Sequence, residues 1–118
     1  MAEPAVVAAR FLRITISENP AATVVQCSGR LTSNDVEVFK KQVRSLYPRG
    51  KPVILEMGDL QHMDSSGLGA VMSLYATAQS SGCKLQLYNL SKPVAHLLGI
   101  TKMLSVFEAC GAYLVKLP

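Results

Sequence analysis

The sequence predicts one α/β domain: a mixed, mostly parallel sheet with its helices packed on one face. Three observations predict it. Short branched or alternating runs interleave with segments of helical periodicity in the order β-β-α-β-α-β-α-β(-α). The first two runs are separated by a short turn and should form an antiparallel hairpin at the sheet edge, while the later strand–helix–strand units demand parallel neighbours and right-handed crossovers. A chain of 118 residues is long enough for one real core and too short for two.

Taken in order, residues 1–10 read as a flexible N-terminal arm and residues 11–116 as the folded domain. FLRITI, 11–16, alternates loosely and suits a strand, which Asn19-Pro20 interrupts. TVVQC, 23–27, is the second strand, closed by Ser28-Gly29. Val36, Phe39, Val43 and Leu46 then recur at helical spacing, with Asp35, Glu37, Lys40, Lys41 and Arg44 on the other faces. Thr32 suits the N-cap of this helix, and Asp35 three residues on imitates a capping box. Pro48-Arg49-Gly50 ends it.

PVILEM, 52–57, is the branched run expected of a strand covered on both faces, and a loop containing Gly58-Asp59 follows. From Ser66 to about Ser80 a second helix is expected, with Leu68, Val71, Met72 and Tyr75 inward, Leu74 and Ala78 widening the face, and Ser81-Gly82 as its stop. KLQLY, 84–88, alternates cleanly as a further strand. Ser91 can cap a short helix with Pro93 in its first turn, Val94, Leu97 and Leu98 inward, and Gly99 at its end. MLSVF, 103–107, reads as a last strand, and 108–116 as a short terminal helix.

Composition narrows the function. Nothing approaches the apolar length of a membrane span, and the N-terminal segment lacks the pattern of a signal peptide, so a soluble, cytoplasmic protein is expected. Cys27, Cys83 and Cys110 are far apart and odd in number, with no C-x-x-C pair; Cys27 and Cys83 lie in apolar runs and read as buried, inert thiols. His62 and His96 have no metal-ligand spacing, so neither a metal nor another cofactor is expected. The net charge is +4, and five of twelve basic residues fall between Lys40 and Lys51. With no Trp and no nucleic-acid motif, that run reads as a solvated face near a helix C-terminus, not as a surface for direct nucleic-acid contact.

The segment with the most chemistry is MDSSGLG, residues 63–69. The G-x-S-x-G frame of a nucleophile elbow fails for both serines, because Met63 and Asp64 stand where the first glycine belongs. Asp64 is too close in sequence to orient a histidine for a neighbouring serine. No lysine follows the glycines, which excludes a P-loop. Weak nucleotide contact at the helix start stays open but unspecific, and two fuller readings remain on physical grounds: a plain helix cap, and a serine at an exposed helix start whose phosphorylation the helix dipole would favour. Gly67 and Gly69 would keep that surface flat enough for another backbone to approach.

HMDSSGLGAVMSLY resembles the signature of STAS domains, specifically of bacterial anti-sigma factor antagonists. VVQCSGRLTSNDVEVFKKQV is similar to that family's second strand, Gly-x-Leu turn and first helix. KPVILEMGDLQHMDSSG is similar to its buried strand and loop, and KLQLYNLSKPVAHLLGITKMLSVF to its later strand, helix and closing segment. About residues 11–107 are covered. The resemblance implies a non-enzymatic regulator of transcription that works by partner switching. Unphosphorylated, it would bind an anti-sigma factor that is also a serine kinase; phosphorylated, it would let go, and a PP2C-type phosphatase would reset it.

Residue by residue, the resemblance puts the phosphoacceptor at Ser65, with Ser66 second. It puts the partner surface at Gly29, Leu31, Thr32, Met63, Asp64, Ser65, Ser66, Gly67, Leu68 and Gly69. A weak homodimer is compatible with it. The chain differs from many antagonists in carrying Thr32 where they have an acidic residue, and in being basic. The alternative within the family is a non-catalytic STAS scaffold subunit of a stress-sensing or lipid-transport complex.

Overall fold

Leu12, Ile14 and Ile16 alternate with Arg13, Thr15 and Ser17, and the first set is buried while the second is not. That is the frame of the computed structural model, which describes residues 4–118. The strand they form, β2 (Leu12–Glu18), turns at Asn19, whose side-chain oxygen accepts the N–H groups of Ala21 and Ala22, both at 2.8 Å. The chain returns antiparallel as β3 (Thr23–Leu31).

Part of the expected arm is structured: Ala5–Ala8 form an edge strand, β1, antiparallel to β2, with Val7 packed against the core. The ladder with β2 satisfies backbone groups that a free arm would leave to water. Met1–Glu3 of that arm lie outside the described residues.

Ser28-Gly29, expected to close the second strand, is instead an irregularity inside a longer one. The pairing of β3 with the next strand slips between Gln26 and Ser28 and again between Gly29 and Arg30. Gly29 has φ +92°, and a Cβ there would fall on the carbonyl oxygen of Phe11. A glycine in a strand pattern marks a bulge as readily as a turn, and here the close backbone approach decides for the bulge.

The expected 52–57 strand likewise continues through Gly58-Asp59 as β4 (Val53–Met63). Its first five residues are all buried, as the branched run predicted. With β5 (Leu85–Tyr88) and β6 (Tyr113–Leu114), the six-stranded sheet keeps sequence order throughout; β1, β2 and β3 are antiparallel and β3 to β6 parallel.

Among the described residues the four α-helices are α1 (Val36–Arg44), α2 (Ser65–Ser80), α3 (Lys92–Ile100) and α4 (Met103–Ala109). Phe39 and Val43, Val71 and Leu74, Val94 and Leu98, and Phe107 bring all four into one core with Ile14, Val25, Leu55 and Leu87 of the sheet. The buried stripe of α2 is rotated from the expected one. Gly67, Ala70, Val71, Leu74 and Ala78 face the core, and Leu68, Met72 and Tyr75 are half-buried along its edge. Small residues turn inward because the helix sits close to the strand ends at Gly67.

The C-terminal expectations reverse. Residues 103–107 are helical, and 108–116 contain the turn at Gly111 and the short strand β6. A short apolar run is ambiguous between the two periods. Burial of Phe107, whose ring meets Tyr75 edge-on with centroids 5.2 Å apart, selects the helix. Lys102 in the left-handed region separates α4 from α3, which runs one residue past Gly99. Ser91 stands at the N-cap of α3 as expected, but its buried hydroxyl has no hydrogen-bond partner among the described residues.

Candidate functional site

Two parallel strands and two helix starts converge at one end of the sheet. Leu31 and Met63 are the last residues of β3 and β4 and are paired with each other. Beyond them the chain enters α1 and α2, so the loops at Thr32–Asp35 and at Asp64 lie side by side. Asp64 joins them. Its Oδ1 accepts the N–H of Gly67 at 2.9 Å, and its Oδ2 accepts the N–H of Ser33 at 3.4 Å. Its own N–H donates to the Leu31 carbonyl at 3.4 Å, and its carbonyl accepts the Leu68 N–H at 3.0 Å, opening the helix.

Asp64 is therefore the N-cap of α2, and Ser65 and Ser66 are the first two helical residues, both exposed. Neither hydroxyl is needed to cap the helix. That separates the acid from the serines, which the motif alone could not do: the carboxylate holds the turn and the hydroxyls are left on the surface.

Gly67 packs the helix start onto β3. A Cβ there would fall on the Leu31 carbonyl oxygen and within 2.8 Å of Met63 Cγ. The close backbone approach expected of this glycine is thus made inside the domain. Gly69 meets nothing and stays open to the outside.

The structure divides the expected partner surface in two. Ser65, Ser66 and Gly69 are exposed, and Gly29, Asp64 and Leu68 are half-buried. Leu31, Thr32, Met63 and Gly67 are buried, so their part is to shape the surface and not to touch a partner. Thr32 is not the cap of α1. The N-cap position is Asp35, whose N–H donates to the Thr32 carbonyl at 3.0 Å, and the Thr32 hydroxyl lies 3.5 Å from the Asn34 amide nitrogen.

Asp35 was legible only as half of a capping box, and its side chain does something else. The carboxylate makes no capping bond and instead accepts the N–H groups of Arg10 and Phe11, each at 2.9 Å. It is 2% exposed. No local signal could have found it, because its partners lie 24 and 25 residues away.

The thiols differ sharply in setting. Cys27 is buried, and its thiol is pushed up to about 12, chiefly by burial and then by the charge of Glu56. Cys83 is only half-buried, less than its apolar run suggested, and burial raises its thiol also; Cys110 is exposed. Because the thiolate is the reactive form, thiol labelling of the folded protein at about pH 8 should mark Cys110 first, Cys83 slowly and Cys27 only on unfolding. Mass spectrometry of the labelled peptides would show it. Labelling of Cys27 at the rate of Cys110 would contradict the packing described.

No helix among the described residues is long and apolar enough to cross a membrane, and no three metal-ligating side chains cluster there. His62 and His96 are both exposed, one at the strand end and one on α3.

A family model described as Mlab, STAS domain, matches residues 14–106. The chain belongs to the STAS domain family. Among curated proteins, this STAS domain is similar to the anti-sigma F factor antagonist of Paenibacillus polymyxa, at 26% identity over 82% of this chain and 87% of that one. It is also similar to the anti-sigma-B factor antagonist of Bacillus subtilis, at 23% identity over 82% and 89% of the two chains. Both of these relatives are named as antagonists of anti-sigma factors. The fold matches that of the anti-sigma factor antagonist SpoIIAA in its unphosphorylated form, with a TM-score of 0.63 at 18% identity over 87% and 99% of the chains.

Proposed function

We propose that this STAS domain is an anti-sigma factor antagonist whose partner switch is Ser65. The observation that carries the reading is the division of labour at the start of α2. Asp64 caps the helix, which frees the adjacent Ser65 hydroxyl for a kinase at an exposed position.

Phosphate at the first helical residue adds nearly two negative charges without breaking a bond that the fold needs, and the helix dipole favours an anion there. A partner seated on Ser65, Ser66 and Gly69 would meet that charge beside Asp64 and be expelled. The unphosphorylated form binds an anti-sigma factor that is itself a serine kinase, and a PP2C-type phosphatase restores that form. The domain acts in the cytoplasm, on the protein that holds the sigma factor, and does not touch DNA directly.

The test is a pull-down from the native cell extract with wild-type, Ser65→Ala and Ser65→Asp proteins, followed by phosphorylation of the captured complex with ATP. Wild type and Ser65→Ala should retain a kinase. Ser65→Asp should bind it about 30-fold more weakly, as expected for a like charge placed in an interface. Phosphate should enter wild type and Ser66→Ala but not Ser65→Ala. Equal recovery by all three baits would refute the switch, and phosphate lost only in Ser66→Ala would move it by one residue.

A further inference from the structure

At the same end of the sheet as Ser65, Phe11 is 43% exposed and has two guanidinium groups over its ring. The Arg10 and Arg30 guanidinium carbons are 5.3 Å and 5.8 Å from the centre of its ring, both within cation–π range. The backbone beneath this cluster is held in place. Asp35 fixes the N–H groups of Arg10 and Phe11, the Phe11 carbonyl accepts the Arg30 N–H at 2.9 Å, and the absent Cβ of Gly29 makes that approach possible. A shallow groove of about 230 Å³ runs beside it, lined by Arg13, Ser28 and Gly29.

The charge of this cluster is not answered inside the domain. The carboxylates at this end of the sheet are engaged elsewhere: Asp35 by backbone N–H groups, Asp64 by the amides of Gly67 and Ser33, and Asp59 by the Gln26 side chain. Among the described residues the ion pairs are Lys40–Glu37, Arg49–Glu18 and Lys51–Glu18, and none involves Arg10, Arg13 or Arg30. Pairing places Arg30 opposite His62 on β4, one step before Met63 and the Asp64-Ser65 turn. A partner seated on the turn would have this patch within the same footprint.

We propose that Arg10, Phe11 and Arg30 form a docking patch for an acidic segment of the partner that reads Ser65. The patch supplies positive charge, carried on a fixed backbone, beside a partly exposed aromatic ring, which matches carboxylate side chains carried on a chain with apolar residues between them. It also gives the basic balance of this domain a place and a use. The assignment rests on the antagonist reading above and adds to it where, and by what chemistry, the partner extends beyond the serine.

The test compares wild type, Arg10→Glu/Arg30→Glu and Arg10→Ala/Arg30→Ala for binding to the captured kinase at about 50 and about 300 mM NaCl. Lys40→Glu/Lys41→Glu, on the face of α1, serves as the charge control, and circular dichroism and unfolding midpoints check the fold. The double reversal should weaken binding at least about 10-fold, the alanine pair less, and both should flatten the salt dependence; the control should do neither. Wild-type affinity and salt dependence in both double variants would overturn the docking patch and leave the Ser65 switch standing. Failure of wild type and Ser65→Ala to capture any kinase would overturn the antagonist reading and the patch with it. Binding to a short DNA duplex that is lost in the double reversal would assign the patch to nucleic acid and overturn the acidic-segment assignment.

Discussion

An Asp35→Ala variant should lose about 2–4 kcal/mol of stability, a large part of what a domain of this size possesses. The Asp35 carboxylate is buried and accepts two backbone N–H groups, from Arg10 and Phe11, at 2.9 Å each. Hydrogen bonds to a charged acceptor are worth about 1.5–3 kcal/mol each, and alanine would leave both donors without a partner in a partly buried site. Asp35→Asn keeps one acceptor oxygen and should lose about half as much. Urea unfolding would measure both. Hydrogen exchange at the amides of Arg10 and Phe11 should quicken in Asp35→Ala far more than exchange in α2. A loss under about 0.5 kcal/mol would mean that water replaces the carboxylate without penalty. Since the same two amides position the Arg10–Phe11 turn, the variant should also weaken whatever that turn binds.

Gly67→Ala and Gly69→Ala should move stability in opposite directions, although the two glycines are two residues apart in the same helix. Alanine in a helix interior is intrinsically favoured over glycine by about 0.8–1.0 kcal/mol. At Gly69 a Cβ meets nothing, so most of that gain should appear, about 0.5–1 kcal/mol. At Gly67 the added Cβ falls on the Leu31 carbonyl oxygen, which is strand backbone and cannot swing aside as a side chain would. The start of α2 would have to lift from β3, stretching the Asp64 carboxylate off the Gly67 N–H and breaking the contact with Met63. Overpacking of this kind costs about 1–3 kcal/mol, and the lost cap adds about 1 more. We expect Gly67→Ala to be less stable by about 1–3 kcal/mol net, read as a shift in denaturation midpoint. Stabilisation of Gly67→Ala equal to that of Gly69→Ala would disprove the close approach.

Both substitutions bear on the site. Gly67 sets the height of Ser65 above the sheet, and Asp35 sets the turn that carries Arg10 and Phe11. Activity lost in either variant together with stability would reflect a displaced surface, whereas Ser65→Asp should weaken binding in a domain that is as stable as wild type.

Much of the fold was legible because its signals are local. Alternation along Leu12–Ile16, the buried branched run at Val53–Met57 and the helical spacing of Phe39 and Val43 each arise within a few residues. The errors have one cause. Ser28-Gly29 and Gly58-Asp59 carry turn residues but sit inside strands, because a neighbouring strand pairs with them across the irregularity. Residues 103–107 fit two periods, and only the pocket that buries Phe107 beside Tyr75 selects the helix. The N-terminal strand was missed because β1 exists through its partner: Val6 is exposed, and what orders the segment is the ladder to β2.

By itself the sequence determined the α/β class, the order of most elements, the family, and the motif in which an acid precedes two serines at a helix start. Only the tertiary structure decided that Asp64 is the cap and the serines are spare, that four of the expected surface residues are buried, and that Asp35 serves the N-terminal turn. It alone brought Arg10, Phe11 and Arg30 together. The reason is range: periodicity and capping operate over about four residues. The long-range contacts that make this surface join residues 18 to 36 positions apart, and strand register, not local sequence, sets which of them meet.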